Sequence, residues 1–162
     1  MDLPGRDTLT ERLDALIARW ADASGRRAPA PSGSTHLPEP APPAVYALGV
    51  DSYEELARLD PALAREAMSE VVRRLDRLVR SSDVLGVLRP GCLGLAAASV
   101  APSTAGVIME RMTGAVAMPL DLGGETVSLS VTIGVAFAFD GASASELVAA
   151  AENDLGRPTR GR

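Results

Sequence analysis

The stretch Leu78–Leu95, L-V-R-S-S-D-V-L-G-V-L-R-P-G-C-L-G-L, constrains the fold more than any other part of the chain. It reads as the end of a helix (Leu78–Ser82), a short apolar strand (Val84–Leu88), a tight turn at Arg89-Pro90-Gly91 and a second strand from Cys92. Two strands joined by a Pro-Gly turn make an antiparallel hairpin.

The segments on either side must fit that hairpin. A helix is expected over about residues 7–22, with Leu9, Leu13, Leu16, Ile17 and Trp20 on one face as core packing, and with Arg12 and Arg19 off that stripe in solvent. In residues 23–43, rich in Pro, Ala, Gly and Ser, the prolines remove backbone donors and fix φ while Gly and Ser add freedom, so the segment reads as a flexible insertion. Ala44–Val50 (A-V-Y-A-L-G-V) is a nearly continuous apolar run, as in a strand buried on both faces. Asp51–Leu56 is a short helical turn, and Asp60-Pro61 opens a longer helix with Pro at its first position, reaching about Ser82. Pro102-Ser103-Thr104 opens another helix carrying Ile108, Met109, Met112 and Val116. A last hairpin region covers Ala117–Asp121 and Thr126–Phe139, and Ser143 caps a final helix over Ala144–Leu155. This order predicts an α+β fold on one domain spanning 1–162: a mostly antiparallel five-stranded sheet covered by helices, built on a ferredoxin-like βαββαβ core.

Composition excludes several classes of function. All 16 basic residues are Arg, and a net charge of −5 argues against nonspecific nucleic-acid binding, which needs a basic footprint. The single cysteine, Cys92, allows no internal disulfide and is expected to be an inert thiol. No apolar run approaches the roughly 18–20 residues that span a bilayer, and no signal-peptide pattern opens the sequence. A cytoplasmic domain with no membrane contact is expected. The only histidine, His36, has no second His or Cys ligand nearby, so no metal site is expected there.

Several landmarks resemble the GGDEF domain, the catalytic domain of bacterial diguanylate cyclases. Asp2-Leu3-Pro4-Gly5-Arg6 is similar to the G-L-P-N-R turn that opens such domains, and Thr132-Ile133-Gly134-Val135-Ala136 is similar to their S-I-G-V-A strand. In that family the Gly-Gly-Asp/Glu-Glu-Phe signature sits at the hairpin turn, with an Arg-x-x-Asp pair five residues before it. Here Arg80-Ser81-Ser82-Asp83 is followed by five residues, Val84–Leu88, and then by Arg89-Pro90-Gly91-Cys92-Leu93 in place of the signature.

The resemblance implies that catalysis is lost. Joining GTP molecules needs divalent metal on the triphosphate and close backbone approach to the phosphates. The family's first-strand D-x-D falls on Gly49-Val50-Asp51, leaving one carboxylate. The signature carboxylates fall on Gly91 and Cys92, and its glycines on Arg89 and Pro90. The purine-reading Asn falls on Ala57, and the G-H-x-x-G-D segment is replaced by D-P-A-L-A-R-E. No catalytic residue and no metal ligand is expected, and Asp51 is read as a strand-end or helix-cap residue.

The resemblance also implies a ligand. In GGDEF proteins the Arg-x-x-Asp pair forms the inhibitory site that binds cyclic di-GMP. Three Arg-x-x-Asp copies occur here, Arg19–Asp22, Arg73–Asp76 and Arg80–Asp83, and only the third has the family's spacing to the turn. A family Arg that lies 18 residues past the signature corresponds to Arg111, and one supplied by a neighbouring domain, 14 residues past the opening turn, to Arg19. The expected binding set is therefore Arg80, Asp83, Arg111 and Arg19, the last from a second chain. A cyclic di-GMP receptor, a ligand-bridged homodimer and an unidentified protein partner follow from that reading. The same residues admit a structural alternative, with Arg80 a helix-end cation, Asp83 a strand-start cap and Arg111 solvated. The chain would then be a ligand-independent interaction module. A third alternative is residual activity on GTP or another nucleotide.

Overall fold

Successive side chains of a strand point to opposite faces, so a strand apolar at every position needs cover on both sides. β1 (Ala44–Val50) is such a strand: Tyr46, Leu48 and Val50 enter one core, and Val45 and Ala47 enter the other. The structure, a computed structural model, describes residues 3–25 and 40–156.

The two cores lie on the two faces of one antiparallel sheet. Its strands run in the order β2 (Val84–Arg89), β3 (Cys92–Ala97), β1 and β6 (Val131–Phe137). One face is covered by α3 (Pro61–Asp76) through Ala67, Val71 and Leu75, and by α4 (Ala105–Ala117) through Met112 and Val116. The other is covered by α1 (Arg6–Gly25) through Leu9, Leu13 and Ile17, and by α5 (Ala144–Leu155) through Leu147, Val148 and Ala151. The short α2 (Tyr53–Leu59) leads from β1 into α3. β3 lies between the parallel strands β1 and β2 that the α2–α3 crossover joins, and β1 lies between β3 and β6, which is the split βαβ arrangement of a ferredoxin-like core.

Three expectations change. The main sheet has four strands among the described residues, where five were expected. β4 (Leu120–Leu122) and β5 (Glu125–Val127) pair only with each other, closed by Gly123 and Gly124 at φ 58° and 85°. Positive φ at both central residues is the requirement of a two-residue hairpin, so this ribbon closes on itself away from the sheet. α3 ends at Asp76 and does not reach Ser82. α1 extends to Gly25, three residues into the segment expected to be irregular. Of the rest of the expected insertion, 26–39 lies outside the described residues, with His36 in it, and 40–43 is irregular as expected. Its flanks meet: Trp20 Nε1 donates to the Pro40 carbonyl at 3.1 Å.

The hairpin itself forms where expected. Pro90 and Gly91 occupy the turn, with Gly91 at φ 77°, the pairing a type II turn favours. The opening segment is tied to its edge, the Val87 amide donating to the Pro4 carbonyl at 2.9 Å.

Candidate functional site

The end of α3 sets the site. Its helical periodicity runs on through Leu78 and Val79, but the Leu78 amide turns back to the Leu75 carbonyl, a tightened last turn. Beyond it the Asp83 side chain competes for the backbone. Asp83 Oδ2 accepts from the Arg80 amide at 3.2 Å, and the Asp83 amide donates to the Arg80 carbonyl at 2.9 Å. A short acidic side chain closing a turn on its own main chain offers the backbone an alternative to continuing the helix. The other oxygen, Oδ1, accepts from the Ala98 amide at 3.1 Å, just past β3. Asp83 therefore has the capping role of the structural alternative, and it fixes the Arg80 backbone against the sheet.

That brace leaves the Arg80 side chain exposed and without an ion pair to any described carboxylate. Arg111, on α4, is likewise exposed and unpaired among the described residues. Other arginines are committed to the fold. Arg74 pairs with Glu70 and donates to the Ala115 and Pro119 carbonyls at 3.1 and 2.8 Å, closing the end of α4. Arg73 also pairs with Glu70, which removes the second Arg-x-x-Asp copy as a candidate.

Arg80, Asp83 and Arg111 share one cavity of about 210 Å³ between α3, α4 and the sheet. Its walls are mixed: Leu75, Val100, Ile108 and Met112 give apolar surface, and Ser82, Ser99 and Thr104 add polar groups. Tyr46, fully buried in the middle of β1, also lines it. The Tyr46 hydroxyl has no hydrogen-bond partner among the described residues, and it is the only buried side-chain N or O atom there without one. Burial, reinforced by the Asp83 charge, pushes its pKa up to about 12, so it stays protonated at neutral pH.

Arg19 stands exposed on α1, which packs on the other face of the sheet, and the structure does not bring it to this cavity. Arg12, on the same helix and also in solvent, does approach: it lines a groove with Asp76, Arg80 and Asp83 on the outer side of the turn. Sequence reasoning missed both Arg12 and Tyr46 as site residues. The signal for Tyr46 was a lone hydroxyl in a strand otherwise without polar side chains; Arg12 carried none.

The turn that stands where the resemblance puts the catalytic signature is fastened down. Arg89 lies 3.6 Å from Glu152, which also takes a hydrogen bond from Arg6 at 2.6 Å. The Gly91 carbonyl accepts from the Val50 amide at 2.9 Å, and a Cβ at Gly91 would lie 2.5 Å from the Tyr53 ring. The Asp51 carboxylate accepts from Ser130 and Thr132 hydroxyls at 2.7 and 2.9 Å, pinning β1 to the start of β6. It is a strand-end residue. Cys92 is buried, and burial raises its thiol above the ordinary value, the setting of an inert cysteine. A divalent cation needs several hard oxygen donors free to face it. Asp51 is already engaged with two hydroxyls.

No protein-family model and no curated protein sequence matches the chain. Solved structures do match. The GGDEF domain of YfiN (TpbB) from Pseudomonas aeruginosa superposes with a TM-score of 0.77 at 24% identity, covering 94% of this chain and 88% of that one. A sensory box/GGDEF family protein from Caulobacter crescentus gives 0.75 at 24% identity, covering 94% and 90%. The GGDEF domain of DgcB from Caulobacter crescentus, in complex with c-di-GMP, gives 0.77 at 15% identity, covering 94% and 81%. The fold is that of GGDEF domains.

Proposed function

From the GGDEF fold as premise, we propose that this chain is a catalytically inactive receptor for cyclic di-GMP, binding it at the Arg80–Asp83–Arg111 rim. The observation that carries the reading is the convergence of two uncommitted guanidiniums and one carboxylate, from two separate segments, on a single cavity mouth. A guanidinium can donate two hydrogen bonds to guanine O6 and N7, or two to a phosphate. Each Asp83 oxygen accepts one amide and keeps a second lone pair, so the carboxylate can still receive guanine N1–H and N2–H. A ligand with two guanines and two phosphates suits such a set. The DgcB neighbour was solved with this ligand, which supports the reading by fold likeness.

Inactivity is supported by the hairpin tip. A proline, an arginine held toward Glu152 and a Tyr53 ring against Gly91 stand where a nucleotide triphosphate would need free backbone and metal. Arg19 has its role in a second copy, making the ligand a bridge in a homodimer that an unidentified protein partner reads. Calorimetric titration of cyclic di-GMP into wild type, Arg80→Ala and Arg111→Ala tests the reading, with light scattering on each. Binding by wild type, weakened at least about tenfold in each variant as expected for losing a charge-assisted pair, supports it. No heat with wild type at high micromolar ligand overturns it. Incubation with GTP and magnesium or manganese should give no product by chromatography.

A further inference from the structure

Burying a hydroxyl without a partner costs about 1–3 kcal/mol, and native folds rarely leave one so. Tyr46 breaks that rule at the centre of the sheet, and it does so at the wall of the cavity that Arg80 and Arg111 rim. The two observations are independent, one being a void between α3 and α4 and the other an unused donor on the strand beneath them. A phenylalanine would fill the same space without leaving a hydroxyl unpaired, so packing alone does not explain the oxygen.

We propose that the cavity is a base pocket: one purine ring of the ligand inserts below the arginine rim, the side chains that close over the buried Tyr46 hydroxyl part as it enters, and Tyr46 Oη donates a hydrogen bond to its carbonyl oxygen. This rests on the ligand reading above and adds a residue and a depth to it. Size limits what can enter. An apolar cavity of about 150 Å³ takes up benzene, so about 210 Å³ admits a second fused ring but not a dinucleotide. One base goes in, and the phosphates and the other base stay at the mouth with Arg80 and Arg111. The walls suit a flat ring, with Leu75, Ile108 and Met112 offering aliphatic and thioether surface. The polar pattern selects the base. A donor at the floor and an acceptor carboxylate at the rim match guanine, whose O6 lies beside N1–H and N2–H. Adenine has no N1–H or N2–H to give the Asp83 carboxylate and would turn a bare N1 lone pair toward it, whereas the Tyr46 hydroxyl, donor and acceptor alike, tolerates either exocyclic group.

The test is a titration of cyclic di-GMP into wild type and Tyr46→Phe, with carbon-13 labelled tyrosine rings followed by NMR. Only Tyr46 and Tyr53 contribute ring signals, and the variant itself assigns them. Tyr46→Phe removes one oxygen and no volume, so the free variant should melt at the wild-type temperature or above it. The expected result is about five- to tenfold weaker binding, the size of one hydrogen bond, with the Tyr46 ring signal moving on ligand addition to wild type and cyclic di-AMP binding at least as poorly as the variant. Wild-type affinity in Tyr46→Phe with an unmoved Tyr46 signal overturns the pocket while leaving the rim reading standing. No binding by wild type overturns the rim reading and the pocket with it.

Discussion

Asp83 holds two backbone amides with one carboxylate, joining the turn after α3 to the residue after β3. Asp83→Ala should therefore destabilise the fold by about 2 kcal/mol, the scale of losing hydrogen bonds to a charged acceptor in a half-buried place. Asp83→Asn keeps one acceptor oxygen and should lose less. Urea unfolding reads both, and an alanine variant as stable as wild type would contradict the bracing role. Binding measurements on Asp83 must be read beside stability for the same reason. At Tyr46 the sequence showed burial correctly, because an apolar run of seven residues leaves no solvent face. It could not show that the hydroxyl lacks a partner, since that depends on neighbours from α3 and α4. The resemblance pointed to Arg80 and Arg111, which the fold brings to one cavity, whereas Arg12 reaches the turn only because α1 packs beside β2.

The elements fit together at a few close approaches, and these predict which substitutions the fold rejects. A Cβ at Gly134 would lie 2.1 Å from the Ala151 carbonyl oxygen and 2.7 Å from the Leu155 amide, so β6 and α5 touch backbone to backbone. Gly134→Ala should destabilise by about 3 kcal/mol or more, since neither element can yield by rotating a side chain. Thermal melting checks it, and a melting temperature within a degree or so of wild type would contradict the contact. At the hairpin tip Glu152 joins α5 to Arg6 and Arg89. The hydrogen bond from Arg6, opposed by burial and aided by both guanidinium charges, holds the Glu152 carboxyl below its ordinary value of 4.5. A lowered folded-state value means its stabilisation is present above that ordinary value and fades as pH falls through the folded one. Glu152→Gln should lose about 0.5 kcal/mol at neutral pH, with the gap to wild type closing in acid. A gap independent of pH would contradict the ion pair. Strand β1 and helix α5 were legible to the residue, because apolar runs and a Ser cap end sharply. The end of α3 was not: periodicity continued past Asp76 while a side chain three residues beyond Arg80 had captured the backbone.

Across the whole molecule, the order of helices and strands was enough to place a helix-covered antiparallel sheet, since few arrangements bury a two-faced strand between helices. The fifth strand was misplaced because a short ribbon closed by two glycines satisfies its own hydrogen bonds and carries no mark of which sheet it joins. The rim gathers residues from the two segments that flank the sheet's α3–α4 face, so its existence depended on topology and its membership on spacing. A ligand held there binds the folded state alone, and mass action then raises stability by about 2.7 kcal/mol at a hundred times Kd. For a chain of this size that is a rise of roughly 5–10 °C in Tm, growing with ligand concentration. The most direct test of the account is the calorimetric titration of cyclic di-GMP into wild type beside the Arg80→Ala, Arg111→Ala double variant. Saturable heat in wild type that vanishes in a double variant of unchanged Tm is the predicted result. Equal heat in both, or none in wild type, would contradict the rim as the binding site.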